Sequence, residues 1–218
     1  MRHAAIGMGA LVMLVATAAH AATVQVTVLA RDGKPLANAV VVVEPVVPGV
    51  RPAPGAPVRA VVRQQRSQFQ PIVTLVPVGS TVRFTNQDTY DHHVRVLPGS
   101  VNPLAPANPA DGHELLLPPP SPAKPEPSAD VVMSRAGPYR LGCHLHSTMR
   151  GFIYVTDTPW VAQTGEDGVV TIADVPEGPS RVVVWHPDQI VDATPVTVDV
   201  RAVAAVNVPT TIQPRRRR

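Results

Sequence analysis

The sequence lacks most of what would carry common functions. Cys143 is the single cysteine among 218 residues, which excludes an intrachain disulfide framework. Aromatic residues make up 4%, so the apolar content rests on Val, Ala, Leu and Ile. Charged residues reach 16% against 44% hydrophobic ones, a balance that excludes disorder of the chain as a whole. Positive charge is missing from the body. The formal +3 includes Arg2 and Arg215 to Arg218, and without those five charges it becomes −2. A nucleic-acid groove is therefore not expected. The sequence has no Gly-rich phosphate loop, no Ser/His/Asp arrangement and no recognisable carboxylate pair, and nothing argues for an enzyme.

Proline is abundant. The 26 prolines and 14 glycines argue against long helices and for strands joined by turns. Met1–Ala21 reads as a secretory signal: Arg2, an apolar run from Ala4 to Ala18, and Ala19-His20-Ala21 as a cleavage site leaving Ala22 first. The implied location is periplasmic or secreted, and no other stretch is long and apolar enough to span a membrane. In an oxidising compartment a lone thiol is a liability unless buried or bound, which already favours a metal thiolate.

Short β-branched or alternating segments recur: 23–29, 39–43, 58–62, 72–76, 81–85, 152–156, 169–172, 181–185 and 196–200. Turn signals separate them, among them Asp32-Gly33, Gly79-Ser80 and Asp167-Gly168. The expected fold class is all-β and sandwich-like. Two proline-dense stretches, Glu44–Pro57 with five prolines and Pro98–Pro127 with ten, are expected to be surface loops, spacer or lid. The Arg215–Arg218 tail is expected to be solvated, with weak contact to an anionic surface as its possible role.

The chemistry concentrates in Tyr139–Val155, where Cys143, His146 and Met149 stand at C-x2-H-x2-M between strand-like runs. Thiolate and thioether are soft ligands and imidazole is borderline, a mixture suited to copper. Two histidines, one thiolate and a weak axial methionine make a blue-copper site. The second histidine is sought upstream in Thr81–Val96, where His92-His93 follows a turn-rich segment. A structural zinc site built from Cys143, His146, His92 and His93 is the competing use, and it would leave Met149 idle. His144, His113 and His186 read as solvent-facing, bystander and turn residues.

The combination of Phe84-x-Asn86-x-Asp88 leading to His92-His93-Val94 with the Cys143–Gly151 loop resembles a cupredoxin of the plastocyanin/amicyanin type. The loop spacing matches amicyanin. The resemblance covers about Val58 to Thr156, and the whole chain resembles cupredoxin-containing proteins labelled methylamine utilisation proteins. It implies a Greek-key sandwich and one type 1 copper ion held by His92, Cys143, His146 and Met149. It also implies His146 nearest the surface, with Leu145 in a docking face. His93 stands where the family usually has Asn, so His93 competes with His92 for the ligand position.

Val24–Pro45 and Thr164–Trp185 resemble the opening and closing halves of a carboxypeptidase-regulatory, or transthyretin-like, sandwich. Each half alone is too small to bury a core. The expected organisation is a signal peptide (1–21), first half-sandwich (22–57), cupredoxin domain (58–156, with the proline-rich insert 98–127), second half-sandwich (157–212) and basic tail (213–218). The alternative joins the first two strands to the cupredoxin. The expected function is that of an exported electron carrier between redox partners such as a cytochrome or a dehydrogenase. Copper chaperoning or storage, and a structural interaction role with a metal-stabilised fold, are the other readings.

Overall fold

The structure, a computed structural model, describes residues 21–50, 52–99 and 112–215. Most of the expected leader, part of the proline-rich insert and the last three arginines lie outside the described residues. Sixteen strands and no helix make up the regular structure of the described residues, and no helix is long and apolar enough to cross a membrane. The strands are β1 (Ala21–Leu29), β2 (Val40–Pro45), β3 (Arg59–Gln65), β4 (Gln68–Gln70), β5 (Val73–Pro77), β6 (Thr81–Asn86), β7 (His92–Pro98) and β8 (His113–Leu117). There follow β9 (Ser128–Val132), β10 (Gly137–Cys143), β11 (Arg150–Thr156), β12 (Val161–Gln163), β13 (Val169–Pro176), β14 (Gly178–Trp185), β15 (Val196–Val200) and β16 (Val203–Pro209).

They form four sheets. The orders β13-β1-β16 and β12-β2-β14-β15 enclose one core. The orders β5-β11-β10-β7-β8 and β4-β3-β6-β9 enclose another. The two N-terminal strands thus pair with strands from the C-terminal third of the chain: β1 with β13 and β16, and β2 with β12 and β14.

Side-chain period explains how the layers stack. In β1, Val24, Val26 and Val28 are fully buried while Gln25 points outward, the alternation of a strand with one covered face. In β2 the run Val40–Val43 is buried throughout. Val41 and Val43 enter the core shared with β1. Val40 and Val42 face the opposite way, onto Val73 and Trp185, with Phe152 and Tyr154 packed beside them. A continuous apolar run is what a strand covered on both faces requires. It joins the two sandwiches through a small second apolar layer.

Gly168 shows how tightly the first sandwich is closed. Its φ is +69°, and a Cβ there would lie 2.7 Å from the Val28 carbonyl oxygen and 2.9 Å from the Leu36 nitrogen. Both obstacles are backbone, so neither can swing aside. Gly168→Ala is expected to cost about 2–3 kcal/mol, from left-handed strain plus the clash. Urea unfolding of the two proteins measures it.

One expectation needs correction. Pro98–Pro127 is not loop throughout, because His113–Leu117 forms β8 and pairs antiparallel with β7. Those five residues are free of proline and keep their N–H donors. Leu117 is buried, Leu115 packs on the second core, and Leu116 between them is exposed. β4, β9, β12 and β16 were also not read as strands. Two of them have only three residues, too short for a period to register.

Candidate metal centre

Cys143 ends β10 and His92 opens β7. The two strands are antiparallel neighbours, with Cys143 opposite Val94. His92 lies two residues from Val94, so its side chain projects from the same face. That face is inward: His92 is fully buried and Cys143 is 6% exposed. After Cys143 the chain turns. The Met149 N–H donates to the His146 carbonyl at 3.0 Å, closing a tight loop before β11 starts at Arg150. The loop brings His146 back over the cysteine.

The result is a compact donor set. Cys143 Sγ lies 3.5 Å from His92 Nδ1 and 3.4 Å from His146 Nδ1. The ligand atoms of the three residues all lie within 4.8 Å of one another, a grouping able to hold a metal ion. A buried sulfur with two imidazole nitrogens is compatible with a single copper ion. Met149 is 2% exposed and sits among the buried residues of the same core.

The far nitrogen of His92 is held as firmly. Nε2 lies 2.9 Å from Asp88 Oδ2, and both groups are buried. An ionised carboxylate only accepts, so the imidazole proton sits on Nε2. Nδ1 then presents its lone pair toward Cys143. Asp88 also accepts the Arg66 N–H at 2.6 Å and the Ser67 N–H at 3.0 Å. Both donors have left-handed backbones, φ 56° and 54°, in the turn between β3 and β4. Burial by itself raises the Asp88 pKa, but the Ser67 amide, the His92 imidazole and the Arg66 amide outweigh it. The carboxyl is held below its ordinary range.

Asn86 completes the support. Its Oδ1 accepts the Asp88 N–H at 2.8 Å. Its amide NH2 reaches the carbonyls of Tyr90, Leu117 and Pro118 at 2.8 to 3.0 Å. Tyr90 packs its ring 5.3 Å from that of His92 and 5.0 Å from that of His146. In the sequence Asn86 and Asp88 stand in the pattern with no evident role, and nothing there points to Tyr90. No spacing signals the Asp88–His92 pair, because i to i+4 neighbours meet on a helix and this segment is a turn leading into a strand.

The adjacent histidines fall elsewhere. His93 alternates to the outer face, 3.4 Å from Glu114, with its ring tilted over that of His144 at 5.6 Å. It is outside the donor set, and so is a four-ligand group with both His92 and His93. His113 is exposed on β8. His186 is buried in the turn after β14, where its Nδ1 accepts the Asp188 N–H and its Nε2 meets the Ala37 carbonyl. Leu145 is 55% exposed beside the half-buried His146.

No protein-family model matches the chain. No curated protein matches it either. Solved cupredoxins do. Amicyanin from Paracoccus versutus is 20% identical, covers 49% of this chain and 92% of its own, with a TM-score of 0.35. The reduced Cu(I) form of an amicyanin mutant is 22% identical, over 45% of this chain and 82% of its own, at 0.34. A purple cupredoxin from Nitrosopumilus maritimus is 18% identical, over 44% and 99%, at 0.33.

Proposed function

We propose that this chain is an exported cupredoxin-type copper protein that passes single electrons between redox partners, with His92, Cys143, His146 and Met149 as the ligands. The carrying observation is that both histidines turn Nδ1 toward one buried sulfur while a carboxylate holds His92 from behind. A bound copper ion supplies the one-electron couple, and thiolate plus thioether suits both of its oxidation states. The protein fixes the donors beforehand. His92 is held by Asp88, and Cys143 is held by the β7–β10 ladder. His146 is set by the loop closed at Met149. Donors that do not move between oxidation states keep reorganisation small. His146 and the exposed Leu145 form the side on which a partner docks.

The proposed division is a leader (1–21), a sandwich of 22–57 with 157–212 in the manner of a carboxypeptidase-regulatory module, the copper domain (58–156) inserted in it, and the basic tail (213–218). Pairing of β1 with β13 and β16, and of β2 with β12 and β14, supports the split arrangement. The sandwich is a platform, and no catalytic role is proposed for it.

Voltammetry of the copper-loaded chain, followed by mixing with a c-type cytochrome, tests the function. The expected result is a reversible one-electron wave and rapid exchange. Leu145→Glu is expected to slow exchange roughly tenfold or more while the wave stays in place. Copper handed to a metal-free acceptor, with no exchange with any cytochrome, would instead mark a chaperone.

A further inference from the structure

A cleft of about 920 Å³ opens between the two sandwiches, and it touches the donor region only along one wall, at Met149, Arg66 and Ser67. Arg140, Arg150 and Phe152 line it from β10 and β11, and Trp185 and Ile190 from the end of β14 and the turn beyond. Its size is that of a small-molecule site.

The charge of the lining is one-sided. Arg140 stands opposite Phe152, and Arg150 stands opposite Gly142. The two arginines are therefore diagonal neighbours on one face, about 7–8 Å apart at Cα. Neither has an ion-pair partner among the described residues. Two other strand arginines do meet a carboxylate on the next strand, Arg83 meeting Asp130 and Arg181 meeting Glu44. Arg66 adds a third guanidinium with no ion-pair partner among the described residues. Asp188 is the acidic group there, and the Arg215 N–H and side chain occupy it. Like charges set side by side on a sheet cost stability, and an anion between them offsets that cost.

The rest of the lining mixes polar side chains, such as Gln70, Thr148 and Gln189, with apolar ones. The rings of Phe152 and Trp185 meet edge to face at 5.9 Å, and Ile190 is 70% exposed. Gly142 has nothing within 4 Å of where a Cβ would stand, which leaves room beside Arg150. Guanidinium forks favour carboxylate, sulfonate or phosphate oxygens, and ring faces favour a flat apolar body.

We propose that this cleft is a binding site for a small organic anion, its acidic group between Arg140 and Arg150 and its apolar body against Phe152 and the exposed Ile190. The proposal does not rest on the copper reading, although Met149 forms part of the cleft wall.

The test uses the full chain without metal and 1-anilinonaphthalene-8-sulfonate as the probe, followed by calorimetry and tryptophan emission. Saturable one-to-one binding is expected, weakened by inorganic sulfate and by added salt. Arg140→Gln/Arg150→Gln is expected to weaken it roughly tenfold or more. Both positions are exposed, so that variant retains its fold. Arg83→Gln, on the other sheet, should bind as the parent does. Equal affinity of parent and double variant overturns the proposal, as does equal binding of the uncharged analogue N-phenyl-1-naphthylamine. Arginine-dependent binding of polyglutamate without binding of the sulfonate also overturns it, and makes the cleft a protein-docking surface.

Discussion

Cys143→Ser abolishes the intense visible band expected of the copper-loaded chain and weakens copper binding by roughly a hundredfold or more, since losing a supporting residue alone costs 10–100-fold. The reason lies in the donor set. In the proposed site Cys143 is the soft anionic ligand, and its sulfur lies within 3.5 Å of both Nδ1 atoms. Serine keeps the volume close but replaces a polarizable sulfur by a hard, protonated oxygen. The metal-free fold should hardly change. The thiol is one member of a core that also includes Val94, Val96, Leu141 and Ile153. Urea unfolding of the metal-free pair is expected to agree within about 1–2 kcal/mol, because the buried serine hydroxyl can donate to a histidine Nδ1 that faces it. A variant that keeps the band would move the copper to other ligands.

Asp88→Ala has the larger effect on the fold. It removes acceptors from the Arg66 and Ser67 amides and from the buried His92 ring. Removing one partner from a buried polar pair leaves the other unsatisfied, which costs about 3–5 kcal/mol. Copper affinity falls too, because the His92 ring loses the group that sets its tautomer and direction. The pH dependence has a defined sign. The folded-state pKa of Asp88 is depressed, so the unfolded chain takes up its proton first as pH falls. The stabilisation is complete above the unfolded value of about 3.9 and disappears as pH drops through the lower folded value. Parent and Asp88→Asn should therefore differ most near neutrality and converge below about pH 4. A gap that stays constant between pH 7 and pH 3 would mean that the charge of Asp88 contributes nothing.

What the sequence revealed followed its periodicities and its rare residues. β1 alternates over several residues and β14 carries a run of β-branched ones, so both are legible, as is the turn at Asp167-Gly168. The unbroken Val40–Val43 run could be read as a strand, but not why both its faces are apolar. That required Trp185, 145 positions away from Val40, to be brought against it. β8 was hidden by prolines on either side of its five residues. At the site, Cys143, His146 and Met149 announced themselves by spacing, since soft ligands three residues apart are uncommon. His92 and His93 were indistinguishable until strand alternation turned one inward and the other onto Glu114. Asp88 was invisible as a support because its partners come from three places: the β3–β4 turn, Asn86 and His92. The cationic cleft was hidden for a like reason. Arg140 and Arg150 become neighbours only through the β10–β11 register.

X-ray absorption at the copper edge of the full chain, loaded with one equivalent, bears most directly on the metal centre. One short sulfur and two imidazole nitrogens around copper are predicted, with the sulfur contribution gone in Cys143→Ser. A spectrum fitted by nitrogen and oxygen alone would contradict the account.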